Sequence, residues 1–180
     1  MNEWIENYRN FRTQLDLIVK YLVEAFKVEL RRQGHFNKGT LESSFTTVLK
    51  DDLGNVVYEI YSEHYGWALE RGVPATSIKY TPNSGKAKSA YIDGLHGWVT
   101  SKLNLTGRDA WGATFSIAKT QKRDGMPTRG SLLGGDRLNW ISNTISKESG
   151  YIDRMVDDAS TNFIESIFTK IMDDAEKQLK

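Results

Sequence analysis

The first 33 residues contain no proline, and their apolar side chains recur at intervals of three and four: Trp4, Tyr8, Phe11, Leu15, Ile18, Leu22, Ala25 and Phe26. That spacing puts them along one stripe of an α-helix. From Asn2 to Gln33 such a helix would be about 48 Å long at 1.5 Å per residue, longer than a small domain is wide. Ile5, Leu17, Val19, Val23, Val28 and Leu30 widen the apolar surface beyond one stripe. The helix is therefore expected either to be wrapped by its own domain or to meet a second body along part of its length. A second amphipathic pattern closes the chain over 151–180. Ile152, Met155, Val156, Ala159, Phe163, Ile167, Phe168, Ile171, Ala175 and Leu179 form its apolar face, and Asp153, Asp157, Asp158, Glu165, Asp173 and Asp174 are assigned to its solvent face.

Between these two helices, residues 44–50 and 56–62 are rich in β-branched and aromatic side chains and flank a turn-forming Asp-Asp-Leu-Gly-Asn cluster, which predicts a β-hairpin over 44–62. A two-stranded ribbon is marginal in water, so it must pack on the helices or gain strands from elsewhere. Glu63 to Arg71 reads as a short helix closed by Gly72 and Pro74. A loop follows over 73–89, then helices over 91–103 and 106–121, with Thr106 as N-cap and Asp109 as a weak capping-box partner. Residues 122–131 read as loop and 136–146 as a short helix. The expected fold is α+β, a single domain over 1–180: long N- and C-terminal helices packed on a small antiparallel sheet, with a basic loop-and-helix insertion over 73–131.

Charge is unevenly distributed under a net of +1. Residues 71–129 hold ten Lys/Arg against three Asp, a net of +7, whereas 1–70 and 130–180 each carry −3. A basic middle between acidic ends suits contact with a polyanion or docking on a copy of the same chain. Arg71, Lys79, Lys86, Lys88, Lys122, Arg123 and Arg129 are the candidates for subunit or DNA contact. Ordinary solvated loop charge is the plainer explanation and stands beside this one. Trp67, Trp98 and Trp111 lie within helical apolar patterns and read as packing anchors, in the core or at an interface.

Chemistry-bearing motifs are sparse. The chain has no cysteine, which excludes disulfides and thiolate metal sites. His35, His64 and His96 are each more than four residues apart and are expected at loops or on the surface. Glu63-His64 lacks the second histidine of the zinc-protease pattern, and no serine stands in a Gly-x-Ser-x-Gly setting. Gly125-Met-Pro-Thr-Arg-Gly130 lacks the Gly-Lys-Ser/Thr ending of a phosphate loop. No catalytic, cofactor or metal residue is assigned, and no enzyme activity is expected. No apolar run approaches the roughly 18 residues of a membrane span, and no export signal is expected at the N-terminus.

Several short strings, taken in order, resemble the tail-completion (head-tail joining, neck) family of tailed bacteriophages. They are Gly39-Thr40-Leu41-Glu42-Ser43-Ser44 after the first helix, Tyr65-Gly66-Trp67-Ala68-Leu69-Glu70-Arg71-Gly72 after the hairpin, and Met126-Pro127-Thr128-Arg129 before the last helix. The Gly-Thr order is reversed relative to the family's usual Thr-Gly, and residues 73–125 form an insertion between strings that lie close together in smaller relatives. The resemblance implies a structural virion protein, assembled in the host cytoplasm into a ring of six or twelve copies. It implies neighbouring neck, portal-side or tail-tube proteins as partners, with genome DNA passing non-specifically through the opening. A soluble nucleic-acid-binding protein using the basic segment 71–129 is the alternative.

Overall fold

The computed structural model describes residues 2–35, 39–52, 55–81, 89–127 and 137–178. The fold is α+β: α1 (Asn2–Arg32), α2 (Thr40–Ser43), β1 (Thr46–Asp52), β2 (Asn55–Tyr61), α3 (Gly66–Arg71), a 3-10 turn (Ala75–Ser77), α4 (Ala90–Lys102), α5 (Gly107–Asp124) and α6 (Trp140–Gln178). These residues gather into two compact units. One comprises residues 1–29, 46–61 and 141–180, the other 30–45 and 62–140.

In the first unit α1 and α6 run antiparallel. Phe11 stacks on Phe163 with ring centroids 4.9 Å apart, and further along α1 Tyr21 meets Tyr151 at 5.0 Å. Ile18 and Phe26 of the expected stripe are buried, as are Val23, one of the residues that widen it, and Ala159 of α6, while Trp4 at the start of the stripe is exposed. Leu17 and Val28, among the residues that widen the stripe, stay exposed. Strands β1 and β2 pair antiparallel in the register Leu49↔Tyr58 and Lys50↔Val57. The hairpin is fixed to α1 by polar contacts, since Tyr58 donates to Asp16 at 2.5 Å and Tyr8 donates to Asp51. Its outer face carries Val48, Val57 and Tyr61 in the open beside a Lys50–Glu59 ion pair at 2.6 Å.

Helix α6 is continuous where the sequence suggested a short helix over 136–146 and a separate one from residue 151. A glycine inside a helix costs about 1 kcal/mol relative to alanine, and tertiary packing routinely overrides that preference. Around Gly150 the override comes from Tyr21, whose ring packs on Tyr151 and whose hydroxyl donates to Glu148 at 2.5 Å.

In the second unit α4 and α5 form an antiparallel pair. Tyr91 near the start of α4 donates to Gln121 near the end of α5, and the ring of His96 stacks on Trp111 at 3.9 Å. Ala110, Thr114 and Ala118 are completely buried at i, i+4 and i+8 on α5, facing the equally buried Ile92 and Val99 of α4. Small side chains in that row let the helices approach closely. The Thr114 hydroxyl is satisfied by Ala110 O at 2.7 Å. Thr106 occupies the N-cap of α5 but makes no side-chain cap bond, so the weak capping box is not formed. By contrast Ser89 caps α4, its Oγ accepting from Ile92 N at 3.2 Å.

Trp140 is the main anchor of this unit. It is 1 % exposed, donates its indole N–H to Gly66 O at 3.0 Å and meets Phe45 edge-on. The chain segments before α4 and after α5 are joined by an antiparallel bridge, Val73 N to Met126 O at 2.9 Å and Met126 N to Val73 O at 2.8 Å. The glycines that precede each bridge residue, Gly72 and Gly125, both have positive φ.

Candidate assembly surfaces

The cations assigned to subunit or DNA contact separate into distinct environments. Arg71 ends α3 and lies over the indole of Trp67, one turn earlier, at 5.0 Å from the ring centroid. Trp67 is 53 % exposed, so it is not a core anchor. The helical spacing that pointed inward is satisfied instead by the buried backbone of Gly66 and by Glu70. Trp and Arg are among the residue types enriched at interface hot spots, and a guanidinium over an indole face is a favourable cation–π contact.

Lys79 is exposed just beyond the 3-10 turn. Lys122 and Arg123 lie in the last turn of α5 and not in a loop, because the helix continues until Gly125 turns the chain at φ 84. Lys122 Nζ donates to Ile78 O at 2.9 Å, which ties the buried Ile78 segment to α5 and commits that ammonium within its own unit. Arg123 binds Asp124 with two hydrogen bonds of 2.7 and 2.8 Å. Lys86, Lys88 and Arg129 lie outside the described residues, and the string Met126-Pro127-Thr128-Arg129 is described only through its cis Met126–Pro127 bond.

Two basic residues outside the set assigned to subunit or DNA contact, Arg108 and Lys119, complete a surface. Arg108, Gly112, Ser116, Lys119 and Arg123 are exposed and fall at i, i+4, i+8, i+11 and i+15 on α5, a single helix face about 22 Å long at 1.5 Å per residue. The small residues between the cations leave that face open.

Trp98 and Trp111 are half-buried in the α4–α5 pair, where Trp111 makes stacked contacts with His96 and Phe115. His96 is therefore not a surface histidine, and its Nε2 is enclosed without a hydrogen-bond partner. His35 does lie in the segment just after α1, half-buried in a polar latch with Arg137, and His64 is exposed in the turn before α3. The residue missed in the sequence is Trp140, set among asparagines and serines that masked its apolar role.

The most unusual surface belongs to α6. Ile164, Phe168, Ile171 and Met172 are 63, 65, 59 and 53 % exposed, at i, i+4, i+7 and i+8. The same stripe continues toward the N-terminus through Asp157 and Asp153, exposed one heptad and eleven residues before Ile164. The separation of apolar from acidic faces expected for this helix is thus incomplete, because two of the acids lead directly into an uncovered apolar row. The buried side of the helix is formed by Ala159 and the half-buried Phe163.

Among the described residues no group of three or more His, Asp or Glu could hold a metal ion, and no helix is long and apolar enough to cross a membrane. No family model, curated protein or solved structure matches the chain.

Proposed function

We propose that this chain is a structural virion protein that closes into a homo-oligomeric ring of six or twelve copies in the neck or tail end of a phage. Genome DNA passes through the opening, and neck, portal-side or tail-tube proteins lie above and below. The observation that carries the reading is the uncovered apolar row of α6, with Ile164 and Phe168 more than 60 % exposed on a regular helix. Water disfavours such a row, and a contiguous apolar patch of this kind marks a surface that is covered in use. A closed ring needs two different complementary faces on each copy. The acidic, apolar α6 and the basic segment around α3 and α5 supply opposite charge for such a pairing. The order of the three short strings supports the same role.

The cation face of α5 favours a second reading, a soluble protein that binds nucleic acid through Arg108, Lys119 and Arg123. The two readings differ in salt response and mass. A ring protein sediments as a closed oligomer whose particles show rotational symmetry in electron micrographs, and it is found in purified virions. A nucleic-acid-binding monomer instead binds short duplexes with an affinity that falls steeply as salt rises. Absence from virions, together with a monomeric mass at all concentrations, would exclude the ring.

A further inference from the structure

We infer that the Trp67–Arg71 pair of α3 docks on the α6 row of a second copy of this chain, the indole covering Ile164 and Phe168 and the guanidinium facing Asp157. This rests on the ring reading and specifies its contact.

The α6 row has acids at one end, Asp153 and Asp157, and apolar side chains at the other, Ile164, Phe168, Ile171 and Met172, all exposed along one stripe. An occupant has to bring an apolar surface and a positive charge a short distance apart. The second unit exposes such a combination at Trp67 and Arg71, one helical turn apart and held together by the cation–π contact at 5.0 Å. The other cations are less suited. Lys122 donates to Ile78 O and Arg123 is paired with Asp124, and among the described residues the exposed Lys79, Arg108 and Lys119 have no aromatic ring beneath them. Arg154, over the ring of Tyr151, lies on α6 itself. Two copies of the α6 row are a poorer match, because a symmetric pairing leaves four aspartates without a cation from Trp67–Arg71. Stacking of the guanidinium on the indole also orders both side chains before contact, which lowers the entropy lost on docking.

The pairing is head-to-tail, so each copy carries one donor and one acceptor face, and defects in different faces complement each other. The test uses full-length Trp67→Asp and Phe168→Asp chains in sedimentation velocity. Both residues are more than half exposed, so these changes should leave the fold intact, which circular dichroism checks. Each variant alone is expected to lose the oligomer, with association weakened about 30-fold or more, as for a hot-spot residue. An equimolar mixture is expected to form a dimer and stop there, since one intact donor meets one intact acceptor. Arg71→Glu is expected to match Trp67→Asp in direction, and Asp157→Arg to restore part of its loss.

The proposal is overturned if Trp67→Asp assembles like the unaltered chain, or if the mixture stays monomeric. Loss of assembly in Phe168→Asp alone, with Trp67→Asp unaffected, also overturns it and assigns the α6 row to another occupant, while leaving the ring reading standing. An unaltered chain that is monomeric at about 100 µM overturns this contact as well, since a row and a hot-spot pair of this size should associate at that concentration. The ring reading itself fails only if the protein is also absent from virions.

Discussion

His35 and Arg137 fix each other's hydrogen-bonding roles. The backbone carbonyl of Arg137 can only accept, so the Nε2 of His35 at 2.9 Å carries the proton, and the unprotonated Nδ1 accepts from the Arg137 guanidinium at 3.5 Å. The guanidinium also donates to Gln33 O and Gly34 O, at 3.0 and 3.3 Å, which satisfies carbonyls at the end of α1. Gln33 completes the latch through Leu138 O at 3.2 Å. Burial lowers the pKa of His35 from its ordinary 6.5, against the hydrogen bond to the Arg137 carbonyl, which raises it, and the Arg137 charge lowers it further.

A pH dependence of stability follows. With the folded pKa below the unfolded value, the unfolded chain binds the proton more readily. Stability from this group is complete above pH of about 6.5 and falls as pH drops from there through the folded pKa. Urea midpoints should therefore decrease between pH 7.5 and 5, and His35→Gln should flatten that slope. An unchanged slope in the variant would show that another group is responsible.

Trp140→Ala should destabilise the protein by about 3–5 kcal/mol, the range for removing a large buried aromatic. Trp140→Phe keeps most of the apolar contact with Phe45 but removes the indole donor to Gly66 O. Its cost should be about 1–3 kcal/mol, from the buried carbonyl left without that bond. Chemical denaturation of both variants checks the order, and equal losses would contradict the role given to the indole N–H.

Gly72 and Gly125 should tolerate no side chain. A Cβ at Gly72 would lie 2.5 Å from Met126 O, and one at Gly125 would lie 2.7 Å from Val73 O, each at positive φ. The two glycines stand beside opposite ends of one backbone bridge, so either alanine substitution pushes the partner strand away. Each should cost at least about 2 kcal/mol in thermal or denaturant unfolding. Gly112→Ala, where an added Cβ meets nothing, is the control and should be neutral or slightly stabilising.

Tyr58 should titrate late. Burial, followed by the hydrogen bond to Asp16, raises its pKa from 10.0 to about 12. The folded state thus favours the neutral phenol, and its stabilisation is present below the unfolded pKa of 10.0 and lost as pH rises toward about 12. Difference absorbance of tyrosinate in the unaltered chain and in Tyr58→Phe should isolate one late-titrating phenol. If the variant retains all late-titrating absorbance, the Tyr58–Asp16 contact is not the cause.

The periodic segments are legible because their signal is local. The three-and-four spacing in α1 and α6 and the alternating β-branched runs of the hairpin each specify an element from neighbouring residues alone. The join across Gly150, the missing cap at Thr106 and the extension of α5 through Lys122 and Arg123 are not legible, since each depends on what distant residues do to a locally ambiguous stretch. The candidate surface is legible in part. Trp67 and Arg71 are one turn apart on the helix read over 63–71, so their neighbourhood is legible in the sequence, whereas only the fold shows that the indole is exposed.

Composition and spacing by themselves determined that this chain builds an α+β fold framed by two long helices, and that its positive charge is concentrated in the middle. Tertiary structure alone decided which apolar residues are covered. Periodicity gives the direction a side chain takes from its own helix, but burial depends on whether another element occupies that direction. Trp140 finds Phe45 and Gly66 there, whereas Trp67, Ile164 and Phe168 meet water.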